Sequence, residues 1–176
     1  TIESVIDDAV TVDGHTITVE AGRYNEALTV PKELTLEGAQ AGVNPRPSLG
    51  GRTGDESIID GGGSPCITVD ADGVEMNGFS MRNGGSDESG GAIRITSGRT
   101  GTRVRNNQLS DSYYGVFADE HCEQVLVETN AISGCSRGVF VDTLVDNEVA
   151  PTIQRNDFLD NAYGVKLCLV YHGDSQ

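Results

Sequence analysis

The chain has 176 residues, which suits one domain or one solenoid whose core grows coil by coil. Only 36 % of residues are apolar and 5 % aromatic, Trp is absent and Gly numbers 23; this argues against a helical bundle and for short strands joined by tight turns around a thin aliphatic core. A formal net charge of −15 repels nucleic-acid phosphates and anionic lipid, and no run of about 18 apolar residues is present to span a membrane.

The chain opens on Thr1-Ile2-Glu3 without a basic-then-apolar leader, which suits a mature form or an excised domain. Residues 1–10 place Ile2, Val5, Ile6 and Ala9 on one helical face, with Glu3, Asp7 and Asp8 elsewhere. That pattern predicts a short amphipathic helix covering one end of an open core. N-terminal coils follow over residues 11–73. Short strands are predicted at Thr16–Val19, Ala27–Val30, Leu34–Leu36, Ser57–Ile59 and Cys66–Val69, bounded by Gly, Pro and Asn. Between them, Gln40 to Asp55 is Gly-, Pro- and Arg-rich and poor in apolar residues. It reads as a loop excursion, and long loops are where function concentrates.

From residue 74 to 170 the sequence repeats. Asn107-Gln108-Leu109 leads to Gly115-Val116, Asn130-Ala131-Ile132 to Gly138-Val139, and Asn156-Asp157-Phe158 to Gly164-Val165, at offsets of 23 and 26 residues. An earlier copy runs from Asn77-Gly78-Phe79 to Gly91-Ala92-Ile93 with an insertion around Gly84 to Ser89. Helical repeats need about 33 residues or more, whereas this period fits one solenoid coil of short strands. Val74-x-Met76 and Val125-x-Val127 alternate as half-buried strands do. Stacked about 4.8 Å apart, Leu109, Ile132 and Phe158 form one apolar ladder and Val116, Val139 and Val165 another. Asn77, Asn107, Asn130 and Asn156 are expected to form an amide ladder at a left-handed bend, a structural feature rather than a catalytic one.

A family resemblance rests on particular runs. Ile2-Glu3-Ser4-Val5-Ile6, His15 through Glu26, and Leu34-Thr35-Leu36-Glu37-Gly38-Ala39 resemble the opening of pectin-lyase-like β-helix proteins. Ser57-Ile58-Ile59-Asp60-Gly61 and Gly73 through Phe79 continue the resemblance, and the Asn-x-apolar…Gly-Val pattern is similar to NosD-type and sugar-hydrolysis-type β-helix repeats. The resemblance implies an all-β chain, a single-stranded right-handed parallel β-helix with an N-terminal capping helix, over the single domain 1–176. It implies little about activity, because such folds carry lyases, hydrolases, epimerases, spikes and non-catalytic surface proteins alike.

Chemistry is sparse. In the repeat register Asp119 and Asp142 fall one coil apart, where two carboxylates can bind Ca²⁺ or share a proton; solvated turn acids are the plainer account in a chain with 27 acidic residues. Tyr114, Arg137 and Tyr163 each precede the repeat Gly and stack along one edge, with Asp111 and Asp160 on a nearby turn. Aromatic faces and a guanidinium can grip a sugar, or simply pack on one another. His15, His121 and His172 lack a nucleophile elbow, and His121-Cys122 with Cys135 offers no recognisable metal spacing. Cys66, Cys122, Cys135 and Cys168 admit three complete pairings, with free thiols equally open. Ten Arg against two Lys in so acidic a chain suit a halophile-like surface or an ordinary acidic secreted protein.

The functional expectation is therefore an extracellular structural or carbohydrate-binding β-helix, non-catalytic, in a cell-surface, appendage or spike-like assembly. The alternative is a lyase, glycoside hydrolase or epimerase acting on acidic polysaccharide. No capping helix follows the run Val165 to Tyr171, so that coil is expected to stay open to a neighbouring subunit.

Overall fold

The computed structural model describes residues 1–144 and 149–169, whose strands wind through six coils into three parallel sheets. Sheet A stacks β1 (Thr16–Thr18), β4 (Thr35–Glu37), β7 (Glu75–Asn77), β10 (Arg103–Arg105), β13 (Leu126–Glu128) and β16 (Thr152–Gln154). Sheet B stacks β2 (Gly22–Tyr24), β5 (Ser57–Asp60), β8 (Phe79–Arg82), β11 (Gln108–Ser110), β14 (Ala131–Ser133) and β17 (Asp157–Leu159). Sheet C stacks β3 (Leu28–Val30), β6 (Ile67–Val69), β9 (Gly91–Ile95), β12 (Tyr114–Ala118), β15 (Arg137–Leu144) and β18 (Tyr163–Leu169).

Strand alternation sends one column of each sheet inward. In sheet A it runs Ile17, Leu36, Met76, Val104, Val127, Ile153. In sheet B, Ile59, Met81, Leu109, Ile132 and Phe158 follow one another, and in sheet C Val116, Val139 and Val165 are register partners. Most of these side chains are fully buried, and each contributes on the order of 2 kcal/mol. Cys66, Cys122 and Cys135 join this core as free thiols. Burial pushes the Cys66 thiol up to about 12 and those of Cys122 and Cys135 to about 11, so they remain protonated and apolar in character.

Glycine recurs beside this core because there is no room for a side chain. A Cβ on Gly138 would lie 2.5 Å from the Gly164 carbonyl oxygen and 2.6 Å from the Phe158 ring.

The turn from sheet A to sheet B is one left-handed residue followed by the ladder position. Asn106, Thr129 and Arg155 take φ of 53°, 55° and 55°, and Gly78 takes 83°. The ladder asparagines themselves come next, so the left-handed bend belongs to their predecessors. Asn107 Nδ2 donates to the Met76 carbonyl at 2.9 Å, and the Asn107 N–H donates to Asn130 Oδ1 at 2.9 Å. Asn130 Nδ2 donates to the Val104 carbonyl, and the Asn130 N–H donates to Asn156 Oδ1. Asn107 and Asn130 are completely buried.

Asn77 does not join this ladder. Register places Ser80 opposite Gln108 and Met81 opposite Leu109, so Phe79 occupies the ladder position and gives its N–H to Asn107 Oδ1 at 2.9 Å. The expected alignment is off by two residues because Gly78 already fills the left-handed position.

The N-terminal helix is α1 (Ile2–Ile6), shorter than the predicted 1–10. Thr1 Oγ1 accepts from the Ser4 N–H, and the Glu26 carboxylate takes the Ile2 and Glu3 N–H groups. Lys32 Nζ donates to the Ile6 and Asp8 carbonyls, ending the helix there. Ile2 and Ile6 are buried in the core cluster, while Val5 is 46 % exposed. Of the expected open coil, Val170 and Tyr171 lie outside the described residues.

Replacing Asn130 with alanine strips partners from a buried N–H and two carbonyls. We expect a loss of about 3 kcal/mol in urea unfolding, against a smaller loss for Asn156→Ala on the more exposed coil.

Candidate functional site

Tyr114, Arg137 and Tyr163 are register partners on β12, β15 and β18. A second outward column beside them runs Arg94, Phe117, Phe140, Lys166. Two columns of aromatic rings and cations thus stand side by side on the outer face of sheet C. Tyr114 stacks on Phe117 at 4.7 Å and on Phe140 at 5.3 Å between ring centroids. The Arg137 guanidinium lies over Tyr113 at 5.1 Å, Phe140 at 5.3 Å and Tyr114 at 5.5 Å, and its Nη1 donates to Tyr114 Oη at 3.2 Å. Lys166 Nζ and the Arg94 guanidinium cover Phe140 and Phe117 in the same way.

The cluster is packed rather than open. Tyr114 is 3 % exposed, and burial pushes its phenol above the ordinary value against the pull of Arg137. Tyr163 is 60 % exposed and is the ring that offers a face to solvent. Arg137 Nε is buried with no hydrogen-bond partner among the described residues.

The turn from sheet B to sheet C edges this face. Asp111 and Asp160 are exposed and left-handed at φ 51° and 53°, but Gly134 sits between them in the stack. They therefore stand two coils apart, about 10 Å, too far to act as a pair on one atom. The 84–89 insertion folds over the same turns: the Tyr113 N–H donates to the Gly85 carbonyl, and Tyr113 Oη lies 3.4 Å from Glu88 Oε1. A cleft of about 250 Å³ lies between insertion and turns, lined by Gly85, Ser86, Asp111, Tyr113, Gly134 and Ser136.

The 40–55 excursion does not stand free. It crosses the outer face of sheet B as a strap, with the 3₁₀ turn Pro47–Leu49 at its far end. There the Ser48 N–H and Oγ each donate to the Asp157 carboxylate at 2.8 Å. At the near end the Arg52 side chain is wholly buried. Its five N–H groups meet five acceptors: two on the Glu56 carboxylate, and the carbonyls of Phe79, Asn106 and Val43. Arg52 thus fixes the excursion to the turns of two successive coils.

Residues 50–171 match the family described as right-handed β-helix region. The chain belongs to that family. The coil order, three parallel sheets and core columns are those of a right-handed parallel β-helix. No curated protein and no solved structure matches the chain.

Within this β-helix Asp119 follows Ala118, and Asp142 follows its register partner Val141. The Asp119 carboxylate is held by Arg94 Nη2 at 3.0 Å. Among the described residues no three of His, Cys, Asp and Glu gather as metal ligands do. Phe117, Phe140, Arg94, Lys166 and Tyr113 escaped the sequence reading. For Phe117, Phe140 and Lys166 the signal was the position two residues after the repeat Gly, in successive coils.

Another buried charge organises the first B-to-C turns. Asp60 accepts from Asn83 Nδ2 at 3.0 Å, the Gly62 N–H at 3.3 Å, Arg23 Nη2 at 2.7 Å and Arg82 Nε at 3.3 Å. The Asn83 bond foremost, aided by Gly62 and the two guanidinium groups, holds its carboxyl below the ordinary value despite burial.

Two outcomes follow from these anchors. Arg52→Ala leaves Glu56 and three carbonyls without their donors and should cost about 3–5 kcal/mol in urea unfolding; Arg52→Lys, a point charge without the planar fork, should recover only a small part. The Asp60 carboxylate stabilises the fold above the unfolded Asp pKa, near about 3.9, and that support disappears as pH falls through its lower folded value. Asp60→Asn should therefore flatten the acid limb of a stability–pH curve below about pH 4 and lower stability at neutral pH.

Proposed function

We propose that this β-helix is an extracellular, non-catalytic carbohydrate-binding protein of a cell-surface, appendage or spike-like assembly, holding acidic polysaccharide along sheet C. The observation that carries the reading is the state of Arg137. In a chain of net charge −15, Arg137 and Lys166 form no close ion pair with a carboxylate among the described residues, and only Glu88 acts on Arg137 at longer range. They stand one coil apart in adjacent columns beside the exposed Tyr163 ring. A uronate carboxylate can take the guanidinium while the apolar face of its ring lies on Tyr163. Tyr114 and Phe140 act beneath as positioning residues that fix Arg137 and Lys166 by stacking.

Asp111 and Asp160 border this face, and their negative charge confines an acidic polymer to the cationic columns. Commitment of the Asp119 carboxylate to Arg94 supports binding over acid–base chemistry.

Polygalacturonate titrated into the protein by calorimetry tests the reading. Arg137→Ala and Lys166→Ala should each weaken binding about tenfold, and added salt should weaken it further. Unchanged affinity in Arg137→Ala, or release of unsaturated or reducing ends from the polymer, overturns it. The latter outcome would put a lyase or hydrolase in its place.

A further inference from the structure

The strap encloses a second cleft, on a different face from the aromatic and cationic columns. It measures about 210 Å³ and lies between Pro45 and Pro47 on the strap and the outward residues Ser80, Gln108 and Ser133 of sheet B, with Leu159 at its end. The walls are fixed at both ends of the strap, by Arg52 on the turns and by Ser48 on Asp157. The rings of Pro45 and Pro47 restrict the backbone that leads into the Ser48 anchor. The cleft is therefore a built feature of the fold.

Its floor carries unused hydrogen-bonding groups. The Ser80 and Ser133 hydroxyls and the Gln108 amide line the cleft with no side-chain hydrogen bond among the described residues. Charged groups beside the cleft already face opposite charge: Arg82 pairs with Asp60, and Asp157, bonded to Ser48, lies within electrostatic reach of Arg46. A charged ligand would lose hydration there without gaining a counter-ion. A neutral ligand rich in hydroxyl groups meets its match, because serine hydroxyls and a glutamine amide each both donate and accept. Pro45, Pro47 and Leu159 offer apolar surface to the C–H face of such a ring. The volume falls below the roughly 300–1,000 Å³ of pockets that take drug-sized molecules, which limits the occupant to one small ring.

The geometry points to a binding site for a single neutral sugar unit in the cleft between the strap and sheet B. The inference does not rest on the reading of sheet C, since none of its lining residues belongs to that face.

Amide chemical shifts of the whole protein, followed during titration with the methyl glycosides of glucose, galactose and N-acetylglucosamine, test it. At least one of the three should shift Ser80, Gln108 and Ser133 and saturate in the millimolar range, about 1–10 mM. Gln108→Ala and Ser133→Ala, both at solvent-facing positions, should each weaken that binding about tenfold while circular dichroism and the melting midpoint stay those of the parent. Arg137→Ala should leave it unchanged, which separates failure here from failure of the sheet C reading. Methyl galacturonate, a charged ring of the same size, should bind more weakly. The proposal is overturned if no neutral glycoside shifts these amides at about 100 mM. It is equally overturned if both variants bind as the parent does, or if methyl galacturonate or a prolyl peptide occupies the cleft more tightly than the sugars.

Discussion

In a solenoid the polar groups of a buried turn have no neighbour in their own coil, and in this β-helix the coil that follows supplies them. The Asn107 amide faces the Met76 carbonyl and the Phe79 N–H of the coil before it, and Asn130 does the same for Val104 and Asn107. An unsatisfied buried group costs about 1–3 kcal/mol, comparable to an entire buried aliphatic contact. The ladder therefore sets register as well as stability. A slip by one residue would turn the apolar columns outward and also leave a run of amides and carbonyls unpaired. The turn into sheet C repeats the solution with other side chains: Ser112 Oγ accepts from the Gly84 N–H, and Asn161 Oδ1 accepts from the Cys135 N–H.

Cations are scarce in this chain, so their placement is informative. Arg52, wholly buried, closes the excursion onto two coils; Arg105 bridges Glu75 and Glu128 along sheet A; Arg23 and Arg82 converge on Asp60. Each of these has a carboxylate partner that accounts for it. Arg137 and Lys166 lie over aromatic rings, interactions worth about 0.5–2 kcal/mol that hold a cation while leaving its remaining donors available. Stacking in place of ion pairing distinguishes them from these four arginines.

The fold was legible because it is periodic. Leu109, Ile132 and Phe158 pair as their spacing required, as do Val116, Val139 and Val165, and Tyr114, Arg137 and Tyr163 share one register. Reading failed where a local choice shifted the period. Gly78 in the left-handed position displaced Asn77 from the ladder, and the contacts of Lys32 with two carbonyls stopped the helix at Ile6. The helical stripe through Val5 and Ala9 carried no trace of a lysine 24 to 26 residues away. Nor did the composition of the excursion show that it lies against sheet B. Its anchors, Ser48 to Asp157 and Arg52 to Asn106, span 109 and 54 residues and leave no local pattern. The candidate site was half visible for the same reason: its periodic members could be read, while Tyr113 and the Glu88 insertion meet only in space.

Separation of the sheet B cleft from the sheet C columns follows from coil geometry. Side chains on the outer faces of sheets B and C diverge, and the B-to-C turns run between them with Asp111, Gly134 and Asp160 stacked at the corner. On the proposed reading, an extended acidic polymer on sheet C would advance along the stacking direction, about 4.8 Å per coil, past one cation in each of two coils. A unit in the sheet B cleft is bounded by the strap at one wall and cannot extend across it. On the proposed readings, one face would suit length and charge, the other a single uncharged ring. Because both inherit their spacing from the same ladder, a change at Asn130 should disturb the two together, whereas changes at Arg137 or Gln108 should each act on one.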